Sequence, residues 1–165
     1  MKIKTLEDLL TDELKDLYSA ENQITKALPK MAKTTQSREL RSAFEEHLRQ
    51  TENQIKRLEK ACNELGISPK GKKCVGMEGL IEEGKEIMTN GEDPSSLEAG
   101  LIGAAQKVEH YEIAAYGTAA AHAKLLGFST VAELLNQTLD EERRTDEKLT
   151  KIAENQVNVQ AAMEQ

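Results

Sequence analysis

The chain has 165 residues, a net charge of −7 and an aromatic content of 3% with no tryptophan. This composition favours long helices over a sheet, because strands are enriched in aromatic and β-branched side chains. No cluster of Lys and Arg indicates a nucleic-acid partner, and no apolar run has the character of a signal peptide or the length of a membrane span, so we expect a cytoplasmic protein without a membrane partner.

Four long helices are predicted from apolar residues that recur with the period of an α-helix. They cover about residues 5–33, 37–65, 95–126 and 129–153. Thr5 is the expected N-cap of the first helix, and Ser95 or Ser96 that of the third. The crossover, residues 66–94, contains a shorter helix interrupted by glycines. The tail after about residue 156 has no periodic pattern, and we expect it to fray.

The links between the helices predict how they connect. Short links join the first helix to the second and the third to the fourth, so each pair should form an antiparallel hairpin. One long link joins the two hairpins, which is the connectivity of a ferritin-like four-helix bundle. The sequence thus predicts an all-α, ferritin-like single domain over residues 1–165. An up-down bundle with a decorated loop fits the periodicity equally well.

Each long helix carries ionisable residues on the stripe that should face the core. They are Glu21 in the first helix, His47 in the second, Glu109 and Glu112 in the third, and Glu142 and Asp146 in the fourth. At a rise of about 1.5 Å per residue, Glu21 and His47 both lie roughly 15–18 Å from the turn between their helices. Any one of these residues could lie at the edge of its stripe, but their shared level predicts a common site.

Several buried carboxylates at one level need compensation, because an isolated buried charge costs on the order of several kcal/mol. They must be protonated, paired with Lys or Arg, or arranged around a cation. Carboxylates and an imidazole on facing helices suit Fe or Mn, and the pattern is typical of bundles that hold two metal ions.

Five stretches of the sequence also resemble a known family. LYSAENQ, FEEHLRQTENQI, KCVGMEGLIEEG, AAQKVEHYEIAAYGT and LDEERRTDEKLT occur in this order over nearly the whole chain. Together they resemble the YciF/YciE family of bacterial stress-associated proteins, and its YciF members most. The resemblance implies a rubrerythrin-related, ferritin-like homodimer with a di-metal site. It places the ligands at Glu21, His47, Glu109, Glu112, Glu142 and Asp146.

One position departs from the family pattern. Relatives carry a glutamate three residues after the histidine of the second helix, where this chain has Gln50. A neutral amide is a poorer bridging ligand than a carboxylate. Two functions therefore stay open: a stress-associated metal protein that handles iron or peroxide, and a metal-poor structural or interaction protein that keeps the bundle and the dimer. Storage of iron in a cage is disfavoured because the resemblance implies a dimer, and no reaction is implied strongly enough to name an enzyme.

Overall fold

The architecture is that of a computed structural model, which describes residues 2–163. Its helices are α1 Leu6–Thr34, α2 Arg38–Glu64, α3 Val75–Asn90, α4 Pro94–Leu125, α5 Ser129–Ile152 and α6 Asn158–Met163, with a π-helical turn at Ala153–Val157. The predicted four long helices and the short crossover helix are all present. Pro29 does not end α1, which continues to Thr34.

Local hydrogen bonds explain where the helices begin and end. Thr5 caps α1 through a capping box with Asp8, as its sequence predicts. Gly66 and Gly127 follow α2 and α4 with φ of 65° and 82°, a left-handed conformation that costs glycine nothing. The start of α4 differs from the prediction, because the side chain of Asp93, rather than a serine, accepts the capping hydrogen bond.

The packing of the helices settles the direction of the crossover. α1 packs against α2 and α4, and α5 packs against the same two helices. Within residues 2–163, no Cα atoms of α2 and α4, or of α1 and α5, approach within 8 Å, so these pairs lie on the diagonals of the bundle and meet only through side chains at its centre. An up-down bundle would place α2 beside α4, and that alternative is therefore wrong. The observed arrangement is the single-crossover connectivity of ferritin-like folds.

Glu98 fixes the beginning of α4 against the turn between α1 and α2. Its buried carboxylate accepts hydrogen bonds from the Thr35 hydroxyl and the Gln36 backbone N–H, and from the Ser37 backbone N–H at 2.7 Å. One carboxylate thus accepts hydrogen bonds from three successive residues of this turn, and it holds the start of α4 beside the start of α2, so that the two helices run parallel.

The crossover is held by a polar cluster at the start of α3. The Cys74 backbone N–H donates to Ser19 Oγ at 2.8 Å, and Cys74 Sγ lies 3.0 Å from both Asp16 Oδ2 and Tyr111 Oη. Gln23 donates to the Cys74 carbonyl oxygen at 3.0 Å. These contacts join α3 to α1 and α4. Both cysteines are free and buried.

The interior has two apolar clusters. One includes Ile24, Phe44 and Ile102, and the other includes Leu14, Leu58 and Leu135. Buried polar side chains lie between them, at positions where an ordinary bundle would carry aliphatic residues. They are Glu21, His47, Thr51, Gln54, Glu109, Glu112, Thr138, Glu142 and Thr145. We call these residues the polar layer; the four long helices hold it in the interior between the two apolar clusters.

The C-terminal segment corrects one prediction. The sequence predicts a tail that frays after about residue 156, whereas in the structure the chain is helical to Met163. Val157 is buried in the core at 1% exposure, because the π-helical turn carries it onto the apolar cluster. Residues 164 and 165, which the prediction also covered, lie outside the described range. Along residues 2–163, no helix combines the length and hydrophobicity required to cross a bilayer.

Candidate metal centre

Four ionisable side chains from three helices converge in the polar layer. His47 of α2, Glu109 and Glu112 of α4 and Glu142 of α5 each offer one ligand atom, and these atoms lie within 4.8 Å of one another. All four side chains are buried, with His47 the most exposed at 3%. This group could hold a metal ion.

The spacing of buried residues explains why these side chains meet. In α5 the buried stripe runs through Leu135, Thr138, Glu142, Thr145 and Leu149, in alternating steps of three and four residues. The same alternation occurs in the other three long helices, and it is the pattern of helices that pack at a small angle. The polar layer therefore occupies true core positions rather than the edges of the stripes.

Eight buried polar atoms in this layer have no hydrogen-bond partner. They are Glu21 Oε2, His47 Nε2, Gln54 Oε1, both carboxylate oxygens of Glu109 and of Glu112, and Glu142 Oε2. Native proteins leave few such groups, since each costs about 1–3 kcal/mol or more when it is charged. Their concentration at one level leaves several polar atoms that an additional partner could satisfy.

The imidazole of His47 lies between two carboxylates. Its Nδ1 is 3.1 Å from Glu109 Oε1, and its Nε2 is 3.6 Å from Glu142 Oε2. These oxygens and Nε2 still lack a hydrogen bond of acceptable geometry. The donor and acceptor atoms are close together without being directed at one another, as expected of ligands that face a shared centre.

The electrostatics of the group are those of crowded acids removed from water. Burial raises the pKa of Glu109 and Glu112, and the charge of Glu142 raises the pKa of each further. Burial also opposes ionisation of Glu142, but polar contacts with Glu109 and His47 outweigh it and lower the pKa of Glu142. Glu142 is thus the acid that stays ionised most readily. No Lys or Arg between residues 2 and 163 forms an ion pair with any of the four.

Glu21 adjoins the group from α1. It is fully buried, its Oε1 accepts a hydrogen bond from the Tyr116 hydroxyl, and its Oε2 is unpartnered. Burial and then the charge of Glu142 raise the pKa of Glu21. Tyr116 is thus both a fully buried core residue and a hydrogen-bond partner of a carboxylate beside the site.

Gln54 is a site residue to which the sequence assigned no role. Its amide donates to Glu142 Oε1, and to Glu141 Oε2 at 3.0 Å. Arg57 holds Glu141 with two further hydrogen bonds, of 2.8 and 2.6 Å. Gln54 lies seven residues after His47, so the three-four repeat of α2 could have identified it as a core position.

Asp146 and Gln50 lie outside the group of four. Asp146 is 21% exposed, and its carboxylate contacts His110 Nε2 at 3.1 Å and Gln106 Nε2 at 3.2 Å. Gln50 is half-buried and accepts a hydrogen bond from the Thr145 hydroxyl at 3.2 Å. The structure thus brings together four of the six predicted ligands, places Glu21 next to them and leaves Asp146 at the edge. The ligand roles themselves remain predictions.

Two cavities reach His47 from different sides. One, of about 270 Å³, lies beneath α3 and is lined at its inner end by His47 and Glu109. The other, of about 230 Å³, lies between α2 and α5 and is lined by His47, Gln50, Arg144 and Lys148. The buried group is therefore within reach of small molecules.

The residues present fit a transition-metal ion. Carboxylate oxygens with a neutral imidazole are a donor set that Fe and Mn accept. Together with Glu21, the site contains four carboxyl groups, whose charge when fully ionised equals that of two divalent cations. A cation held by these four side chains would also supply a partner for orphaned atoms of the group.

The sequence is similar to known proteins over nearly its whole length. The family described as "Domain of unknown function (DUF892)" matches residues 5–162. The protein YciF of Escherichia coli K12 is 49% identical over 162 residues, which are 98% of either chain.

Solved structures agree with this comparison. The crystal structure of the E. coli stress protein YciF superimposes with a TM-score of 0.91 at 48% identity, covering 94% of this chain and 99% of that one. YcfI of Rhodopseudomonas palustris, described as a candidate structural protein, gives a TM-score of 0.90 at 43% identity, with 92% and 97% coverage. A protein of Xanthomonas campestris shares the fold with a TM-score of 0.76 at 21% identity, over 97% and 99% of the two chains.

Proposed function

The chain belongs to the DUF892 family, which includes a stress protein of E. coli, and we propose that it is a stress-associated protein that binds Fe or Mn in its polar layer. The observation that carries this proposal is the convergence of His47 and three glutamates whose buried atoms lack partners. Binding of two ions, in a cytoplasmic homodimer, completes the proposal. The relatives support the stress association, and the side chains support the metal.

The side chains would divide the work of holding the metal. Glu109, Glu112 and Glu142 would neutralise its charge, and His47 would supply a neutral nitrogen. Tyr116 and Gln54 orient Glu21 and Glu142 through the hydrogen bonds described above, which limits the rotation of these carboxylates. When bound, iron would supply redox chemistry towards O2 or peroxide. The buried layer restricts access to small molecules that enter through the two cavities.

Metal analysis tests the proposal directly. We expect the purified protein to contain Fe or Mn by mass spectrometry, or to take up either metal when it is supplied. His47→Ala should lower the amount of bound metal. The control Glu133→Gln, at an exposed position of α5, should leave it unchanged. Addition of Fe(II) in air should change the near-ultraviolet absorbance if the site oxidises iron. Absence of bound metal, of uptake and of oxidation would refute the proposal.

A structural or interaction role without metal is the second candidate. It is favoured by Gln50, which stands where the family resemblance implies a carboxylate, and by the structural role suggested for the R. palustris relative. Gln50→Glu separates the two functions. Tighter metal binding in this variant would indicate that the amide weakens a working site, and unchanged affinity would place Gln50 outside the coordination shell. Light scattering of the purified protein tests the homodimer independently of the metal.

A further inference from the structure

We propose that the cavity beneath α3 binds an aliphatic carboxylate, with the acid at a rim of lysines and the hydrocarbon chain directed towards His47 and Glu109. This ligand class is additional to the metal, and the inference does not require that metal is bound.

The walls of the cavity are apolar and come from three helices. Five of the lining side chains are only partly buried although they pack against the main core: Met31, Leu80, Ile81, Met88 and Val108. Ile24 and Leu28 extend the same surface inwards. A concave surface of this kind binds apolar groups well, because water inside it finds few hydrogen-bond partners.

The rim of the cavity is positively charged. Lys26, Lys30, Lys73 and Lys85 all line it. Lys73 and Lys85 pair with Glu78 and Glu82 of α3. Lys26 and Lys30 lie one turn apart on α1, are exposed, and form no ion pair within the described part of the chain. On a protein with a net charge of −7, this pair of free ammonium groups favours an anion at the rim.

The inner end of the cavity sets the orientation of the ligand. Glu109 and His47 line it, and both are at least 97% buried with unpartnered polar atoms. The carboxylate of a ligand placed beside Glu109 would add a further buried negative charge to a group of acids that already repel one another. The anionic head therefore belongs at the lysines, and the chain occupies the apolar passage between the rim and the polar layer.

The size of the cavity defines the expected chain-length dependence. Its volume of about 270 Å³ exceeds the ~150 Å³ of an apolar cavity that accepts benzene. Each methylene that enters should tighten binding about fourfold, which is the transfer free energy of one buried CH2 expressed as a ratio of dissociation constants. The gain should stop when the chain fills the cavity.

Calorimetric titration with straight-chain carboxylates from butanoate to dodecanoate, below their micellar concentrations, tests the proposal. We expect saturable binding of one acid per chain, with affinity that rises with length and then levels. An alkylammonium ion of the same length should bind at least tenfold more weakly. Lack of saturable binding at every length, or equal affinity for the alkylammonium series, would overturn the proposal.

Two variants locate the ligand. Lys26→Ala/Lys30→Ala should weaken binding about five- to tenfold, the effect of losing two exposed charge pairs. The control pair Lys56→Ala/Lys60→Ala has the same spacing at exposed positions of α2 and should leave the affinity for the carboxylate unchanged. Ala27→Phe should fill the cavity and abolish binding, with helicity checked by circular dichroism. Equal effects of the two lysine pairs, or full binding by a folded Ala27→Phe protein, would refute the assigned site.

Metal-free protein keeps this test separate from that of the proposed function. Glu112 belongs to the polar layer but does not line the cavity. Glu112→Gln should therefore impair metal uptake and retain the affinity for the carboxylate. Loss of carboxylate binding in this variant, at intact helicity, would contradict binding in the cavity.

Discussion

Replacement of Glu112 by glutamine should change stability in opposite directions with and without metal. The side chain is fully buried, and neither of its carboxylate oxygens has a hydrogen-bond partner. Burial and the charge of Glu142 raise its pKa, so ionised Glu112 destabilises the metal-free protein. Glutamine has nearly the same shape and no charge. The metal-free variant should therefore be more stable than the unmodified protein at neutral pH.

The two effects can be given magnitudes. Without metal, Glu112→Gln should stabilise by about 1 kcal/mol, because the neutral amide avoids the additional cost of burying an ionisable group among other acids, although its own hydrogen bonds also stay unmade. With metal at about one hundred times its dissociation constant, the unmodified protein should gain about 2.7 kcal/mol. For a chain of this size that gain raises the melting temperature by about 5–10 °C. The variant should gain much less, because it has lost one charged ligand.

Thermal unfolding followed by circular dichroism measures both effects. It is run with chelator and then with excess Mn(II), which avoids oxidation of the metal by air. Glu133→Gln on the exposed face of α5 removes the same charge and should change neither transition appreciably. A variant that is less stable than the unmodified protein in chelator, or one that gains as much from Mn(II), would refute the assignment of Glu112.

Three further predictions concern pH, the crossover and the edge of the site. Burial raises the pKa of Glu21 and of Glu112 above the unfolded value near 4.5, so each contributes stability that is present below that value and is lost as pH rises through the folded pKa. The metal-free protein should therefore lose stability as pH rises from the unfolded value upwards, while metal, which competes with protons, binds more tightly. Unfolding and metal titrations over this range check both trends, and flat profiles would contradict them. Glu98→Ala should cost about 2–4 kcal/mol in urea unfolding, because it removes the charged acceptor of three hydrogen bonds and orphans the buried Thr35 hydroxyl; a loss below 1 kcal/mol would show that the turn does not depend on it. Asp146→Asn should leave the bound metal unchanged by mass spectrometry, and a loss of metal would return Asp146 to the coordination shell.

The position of Asp146 shows where helical periodicity loses resolution. Asp146 follows Glu142 by one turn, which rotates it by about 40° and moves it about 6 Å along the axis. The sequence pattern could not separate this position from the core. In the structure the buried stripe continues through Thr145 instead, and Asp146 faces Gln106 and His110 at the surface.

Gln54 and the C-terminal segment are two cases that the pattern underestimated. Gln54 is fully buried, whereas the apolar neighbours Leu48 and Ile55 are only half-buried. An apolar pattern drawn through Leu48 and Ile55 therefore runs along the edge of the core and misses Gln54. The C-terminal segment lacks a regular apolar repeat because a π-helical turn changes the period there, yet this turn brings Val157 into the core.

The sequence by itself determined the number of long helices, the hairpins and the presence of an acidic layer with His47. These features depend on local periodicity, capping residues and chain length, which are all properties of neighbouring residues. The tertiary structure alone decided that the crossover returns α4 parallel to α2, that His47 meets Glu109, Glu112 and Glu142, and that a lysine-rimmed cavity reaches them. These outcomes depend on contacts between residues far apart in the chain, such as Glu98 with the α1–α2 turn and Cys74 with Asp16 and Tyr111. No local pattern encodes such contacts, because they exist only when the helices are packed.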